Sequence, residues 1–200
     1  MSRDMARELA EPFEASEIEW RINRSGYTNN HPWATAIPYI TSRAVQDRLD
    51  KVFGAFGWQN EIKQVSAKGF LSGISFKHDN EWITKWDGAE GNDINGMDIV
   101  KSGSSNALKR AAVLLGVGRY LYDLEESFVQ CVITESWKHE YGNVFKHKDS
   151  GKLFAWMEPT LPPMALPHFN IDQHIQDMKE ACTTGELEDA YKLAHKAAKI

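Results

Sequence analysis

Four cations, Lys101, Lys109, Arg110 and Arg119, lie between Ile99 and Tyr122, a stretch without an acidic residue in a chain whose formal net charge is -5. Basic side chains segregated in this way make a face for a polyanion, because each Lys or Arg that neutralises a phosphate releases counterions. The preceding segment is sorted the other way, since residues 79–98 hold six acidic residues against Lys85 alone. A second group suggests different chemistry. Asp50, then Glu61 and Lys63 two residues apart, then Asp87 with Glu90, are the residue types that hold Mg²⁺ and orient a water for metal-dependent cleavage of a phosphodiester. Such short acidic spacings arise often by chance, and Asp50 falls on a predicted helix rather than at a strand end. Gly54-Ala55-Phe56-Gly57-Trp58 lacks the Lys-Ser/Thr of a phosphate loop, and Gly116-Val117-Gly118 lies at a helix end rather than its start, so no ATP and no other cofactor is expected. The seven histidines have no metal-ligand spacing, and Cys131 and Cys182 suggest neither a disulfide framework nor a zinc site.

The basic residues need elements to position them. Ala107, Leu108, Ala111, Ala112 and Leu115 recur at spacings of three and four, which predicts a helix over 104–115 with one buried stripe, capped by Ser104 or Ser105 and ended by Gly116 and Gly118. Lys109 and Arg110 fall off that stripe, beside Asn106 and Val113. Upstream, Tyr39 to Val52 reads as a helix capped by Thr41 or Ser42. Trp58 to Val65, Gly69 to Lys77 and Glu81 to Trp86 read as three strands, the last two joined by a turn at His78-Asp79-Asn80. Ile74 and Phe76 are expected to share a sheet face with Trp82, Thr84 and Trp86, covered by the 104–115 helix. Ser16 to Ile22 reads as a short helix or docking segment, and Ser25 to Pro32 as a loop. Phe128 to Ile133 has strand character. Trp137 to Phe145 with Lys152 to Trp156 reads as a basic hairpin around Asp149-Ser150-Gly151, and two short helices are expected over 170–200. The fold class is α+β: an antiparallel β-meander with helices packed on one face, an extra β-hairpin and a C-terminal helical hairpin.

Ala107-Leu108-Lys109-Arg110-Ala111 after three strands, its continuation Gly116 to Tyr122, and the segment Leu49 to Trp58 upstream together resemble the Rad52 and DdrA superfamily of single-strand annealing proteins. The Gly116 to Tyr122 stretch is most similar to the phage Sak-like branch. The resemblance covers about residues 35–125, and 16–34 and 126–160 more loosely. It implies that Lys109 and Arg110 line a groove holding the backbone of single-stranded DNA. Animal members carry a further basic residue where Val113 stands, with Arg119 a substitute here. They also carry a basic residue at Ala44 and an aromatic at Ala55, so Arg43 and Phe56 are neighbours of those positions rather than matches. Arg43, Lys101 and Arg119 join the expected phosphate contacts, and Phe56, Tyr120 and Tyr122 are aromatics for stacking, although such side chains are more often core.

The expected activity is therefore non-enzymatic and ATP-independent annealing of complementary strands in recombination and repair. A shallow groove holds only a few nucleotides, so a homo-oligomer, either a ring or a helical array, is expected to continue it. The alternatives are the metal-dependent nuclease and an adaptor that recruits a host single-strand-binding protein or a phage exonuclease. No stretch approaches the ~20 apolar residues that span a bilayer, and a cytoplasmic, DNA-associated protein of a bacterial host cell, with no membrane partner, is expected. The expected domains are a DNA-binding domain over 1–158, a Pro-rich linker over 159–169, and the helical hairpin over 170–200.

Overall fold

A computed structural model describes residues 3–29, 31–92, 99–167 and 192. The chain opens with helix α1 (Arg3–Ala10), followed by strands β1 (Ile18–Thr28) and β2 (His31–Ile40) and helix α2 (Ser42–Phe53). The meander β3 (Trp58–Gln64), β4 (Gly69–His78) and β5 (Glu81–Glu90) comes next, then helix α3 (Ile99–Val113). Four short strands follow: β6 (Ser127–Val129), β7 (Cys131–Thr134), β8 (Asn143–Lys146) and β9 (Leu153–Trp156). The architecture is α+β with antiparallel ladders throughout the recorded pairings. The helical hairpin expected over 170–200 falls, apart from Lys192, outside the described residues. Among the described residues no helix is long and apolar enough to cross a membrane.

The elements gather in two compact units. The first takes the N-terminal segment to Glu17 and Ile40–Tyr122. Its sheet has the order β3-β4-β5, and α3 packs on β4 and β5. Thr41 caps α2 by accepting a hydrogen bond from the Ala44 N–H at 3.1 Å, as the Thr-Ser pair suggests. Asp79 and Asn80 both have positive φ, +49° and +66°, so the β4–β5 connection is the two-residue turn that matches strand twist.

The register of β4 with β5 corrects one expectation. Phe76 pairs with Ile83, Ile74 with Lys85 and Ser72 with Asp87, whereas Trp82, Thr84 and Trp86 stand opposite Lys77, Ser75 and Gly73. Directly paired residues share a face, so the two tryptophans lie on the side away from Ile74 and Phe76. A shift of one residue moves a whole strand's side chains to the other face, and composition alone does not choose between the two. The covered face packs Phe70, Ile74 and Phe76 with Ala107, Leu108, Ala111 and Ala112 in the buried core, and Phe76 stacks on Phe53 at 5.0 Å between ring centroids.

Arg48 is a buried charge in this unit, with only 6% of its surface exposed. Its guanidinium donates to the carbonyls of Glu8, Glu11 and Pro12 and lies 4.1 Å from the Phe13 ring centroid, pinning the end of α1 and the chain after it. Burial pulls its pKa below the usual arginine value, opposed by the charges of Glu11 and Glu17. The Tyr120 hydroxyl accepts from the Phe13 N–H at 3.0 Å, fixing the same segment from the other side.

The second unit takes Ile18–Tyr39 and the described residues from Asp123 on, with strand orders β1-β2-β6 and β7-β9-β8. The short helix or docking segment expected at Ser16 to Ile22 is a 3₁₀ turn only at Ala15–Glu17, and the rest of it, with the loop expected at Ser25 to Pro32, is replaced by β1, by the turn after it and by the start of β2. The period-two alternation Ile18, Trp20, Ile22 is the strand signal that the helical reading passed over. Pro32 and Pro38 of the middle strand flank Ala34, Thr35 and Ala36, the three residues that β6 pairs, so neither is needed as a donor to β6. Phe128 to Ile133 is divided between β6 and β7, which belong to different sheets. Glu126 ties this unit together, accepting from Arg24 at 2.9 and 2.7 Å, Thr35 at 2.9 Å and Asn23 at 2.8 Å. The bonds from Arg24 first, then that from Thr35, hold its carboxyl below the usual range. Further along β2, Tyr39 donates to Glu19, and burial, with that bond and the Glu19 charge, pushes the Tyr39 pKa up to about 12. In the Pro-rich stretch, Pro163–Ala165 makes a 3₁₀ turn that buries Met164 and Ala165.

Candidate nucleic-acid interface

Helix α3 begins at Ile99, five residues before the expected start at 104. Ser104 and Ser105, read as caps, are interior to the helix: Ser104 Oγ bonds the Val100 carbonyl one turn back, as Ser102 Oγ nearer the start bonds that of Ile99. Hydroxyls that bond backward in this way imitate caps in a sequence yet remain compatible with a helix. Gly103, normally worth about 1 kcal/mol less than Ala in a helix interior, is needed there because any Cβ would strike the Phe70 ring of β4. The far end closes as the glycines suggest, with Gly116 and Gly118 at φ +102° and +64°.

Two cations cap that end. Arg119 donates through Nε and Nη2 to the Val113 carbonyl at 2.9 and 2.7 Å, and Lys85 Nζ donates to the Leu114 carbonyl at 3.0 Å. Positive charge at the negative end of the helix macrodipole is stabilising. Arg119, expected at a phosphate, therefore has two donors committed to the helix end, while its side chain stays on the exposed surface.

The buried stripe of α3 is Gly103, Ala107, Leu108, Ala111 and Ala112. Lys109 is half-buried and Arg110 exposed, both outside it, as their positions in the pattern suggest. Lys101 is exposed on the first turn. It precedes Lys109 by about 12 Å along the axis, and it projects from the side of the helix opposite Arg110, nine residues or roughly 2.5 turns away. The two ends of the charged face thus look in different directions. Arg43 is exposed on the first turn of α2, and Phe56 follows the other end of that helix with 99% of its surface exposed. A helix of this length separates those two by about 18 Å.

Asp87, one of the candidate metal ligands, is instead a partner of the basic face. Asp87 Oδ1 accepts from both Nε and Nη2 of Arg110 at 3.3 Å, and from its own neighbour's Gly88 N–H at 2.7 Å. Asp87 belongs to the covered face of β5, whereas Glu61 pairs with Gly73 and so lies on the other face, in an ion pair with Lys63 at 3.3 Å. Asp50 accepts from the Trp58 indole N–H at 2.6 Å. Among the described residues no three His, Cys, Asp or Glu side chains come together to hold a metal ion. The carboxylates expected to serve a nuclease are spread over two faces of a sheet and a helix, and Asp50, Glu61 and Asp87 each have a protein partner.

On the uncovered face, Trp86 lies against Gly73, where an added Cβ would come within 2.6 Å of the indole, and the Lys63 ammonium sits 4.2 Å from its ring centroid. Trp82 on the same face is half exposed.

Comparison with known proteins places these features in a family. The model of the Rad52/22 family double-strand break repair protein matches residues 2–85 and 73–139. The chain is also 32% identical over 131 residues to the single-stranded DNA-binding protein DdrA of Deinococcus radiodurans, a match that covers 62% of this chain and 58% of that protein. To the protein of the same description from Deinococcus deserti it is 34% identical over 134 residues, covering 63% and 60%. The chain thus spans about three fifths of the length of these relatives.

Proposed function

The chain belongs to the Rad52/22 family of double-strand break repair proteins, and from that premise we propose that it binds single-stranded DNA along α3 and anneals complementary strands without ATP. The observation that carries this reading is the position of Lys109 and Arg110, off the buried stripe of a helix whose whole segment from Ile99 to Tyr122 is free of acidic residues. Contacts of this type hold phosphates and carry no sequence information, so the base edges remain free to pair. The DdrA relatives are single-stranded DNA-binding proteins, which supports the same ligand.

The proposed contacts are Lys109 and Arg110 at the centre, with Lys101, Arg43 and Arg119 toward phosphates further along the strand and the exposed Phe56 stacking on a base. The opposed directions of Lys101 and Arg110 favour a strand that crosses α3 rather than one that runs straight along it. Several copies, in a ring or a helical array, extend the path beyond one protomer. A host single-strand-binding protein or a phage exonuclease is the proposed protein partner, and the bacterial cytoplasm the proposed location. The DNA-binding region is assigned to 1–158, with 159–169 as linker and 170–200 as an accessory element.

The test is fluorescence annealing of two complementary oligonucleotides, in EDTA and in Mg²⁺, beside a gel that reports strand length. Acceleration with intact strands in EDTA is expected. Lys109→Ala with Arg110→Ala should leave the unfolding curve unchanged, weaken binding about ten-fold or more and reduce the slope of log affinity against log salt by about 1.4, at ~0.7 per phosphate contact on a single strand. Strands shortened only in Mg²⁺, or a folded double variant with unchanged affinity, would overturn the reading.

A further inference from the structure

We infer that Asp87 is a positioning residue for strand binding: it holds Arg110 by one edge of the guanidinium so that the other edge faces a phosphate. The inference rests on the proposed contact between Arg110 and single-stranded DNA. Both hydrogen bonds from Arg110 arise on its Nε–Nη2 side and converge on one carboxylate oxygen at 3.3 Å. Guanidinium carries five donors in a rigid planar fork, so an acid that engages one edge leaves Nη1 and the outer hydrogen of Nη2 for a second anion. Half of the Arg110 side chain is exposed, against about a quarter of that of Asp87.

The carboxylate is itself held in place. Asp87 stands on β5 directly opposite Ser72 of the central strand, which is fully buried, and its Oδ1 accepts the Gly88 N–H at 2.7 Å. A long, freely rotating side chain on a helix is thereby tied to a strand, and the rotamer entropy otherwise lost on gripping a phosphate is lost in advance. Arg119 and Lys85 have helix carbonyls as partners, whereas the pair formed by Asp87 and Arg110 joins a basic residue of α3 itself to a fixed carboxylate.

The inference makes a prediction of unusual sign. Removing a negative charge beside a phosphate site raises affinity by simple electrostatics, whereas removing a positioning group lowers it. Asp87→Ala is therefore expected to weaken binding of a short oligothymidylate roughly five-fold, a coupling of the size found for groups in direct contact. Asp87→Asn keeps an acceptor oxygen and should recover most of that loss, although it is as neutral as alanine. In an Arg110→Ala background, Asp87→Ala should have no further effect. These affinities are measured by fluorescence anisotropy on the full chain, with circular dichroism melts to confirm that each variant is folded. Tighter binding by Asp87→Ala, equal values for the Ala and Asn variants, or additive losses in the double variant would overturn the positioning role while leaving the binding site intact. Unmodified protein that fails to bind the oligonucleotide, or binding unaffected by Arg110→Ala, would overturn the binding reading and this inference with it.

Discussion

The two faces of the β3–β5 meander carry similar kinds of residues and use them differently. The covered face holds Phe70, Ile74 and Phe76 with Lys85 and Asp87 among them, and each of those two charges reaches α3: Lys85 its terminal carbonyl, Asp87 its Arg110. The uncovered face holds Trp82 and Trp86 with Lys63 and Glu61, and those partners stay within the sheet. Trp58 and Ile62 of β3 and Ile83 of β5 share the covered face with Phe70, Ile74 and Phe76, so the more apolar side is the one on which α3 packs. Small residues on α3 let it come close there, since Gly103, Ala107 and Ala111 lie on its buried stripe.

That difference can be broken most severely at Ile74, which is fully buried. Ile74→Ala should lower unfolding free energy by about 3 kcal/mol, whereas Trp82→Ala on the uncovered face should cost less than about 1 kcal/mol. Urea unfolding of both variants measures the contrast, and equal losses would mean that the second face is also covered in solution. Gly103→Ala sharpens the point about close approach. Alanine normally improves a helix interior, but here its methyl must displace the buried Phe70 ring, so a loss of roughly 1–3 kcal/mol is expected, and a stabilised variant would show that the helix stands further off the sheet.

The smallest effect belongs to the second unit, where charge rather than apolar fit joins β1, β2 and Glu126. The Glu126 pKa is depressed in the folded protein, so its contribution to stability is full above the ordinary carboxylate range and is lost as pH falls through the depressed value. Glu126→Gln should flatten this part of the acid limb of the stability profile without altering the plateau near neutral pH by much, because exposed ion pairs contribute little. An acid limb unchanged in the variant would assign that pH dependence to other carboxylates.

Much of the first unit was legible in residue order. The Thr41 cap, the two-residue turn at Asp79 and Asn80, and the glycines that end α3 are local signals, and local signals act through the same few backbone bonds in any fold. The positions of Lys109 and Arg110 outside the buried stripe were legible for the same reason, since helical periodicity alone places them. The α3 start was lost to serines that bond back to their own helix. Strand β1 was missed although Ile18, Trp20 and Ile22 alternate, because the prolines and polar residues beyond them look like a loop until the short reach of β6 is known.

What the order of residues determined by itself, then, was which segments are helix, meander and turn, and which cations stand off the core, because those properties depend on neighbours within about one helical turn or one hairpin. Only the tertiary structure decided which face of the meander meets α3 and which acid meets Arg110. Both follow from a strand register in which a shift of a single residue exchanges the two faces, and that register is set by packing between segments far apart in the chain.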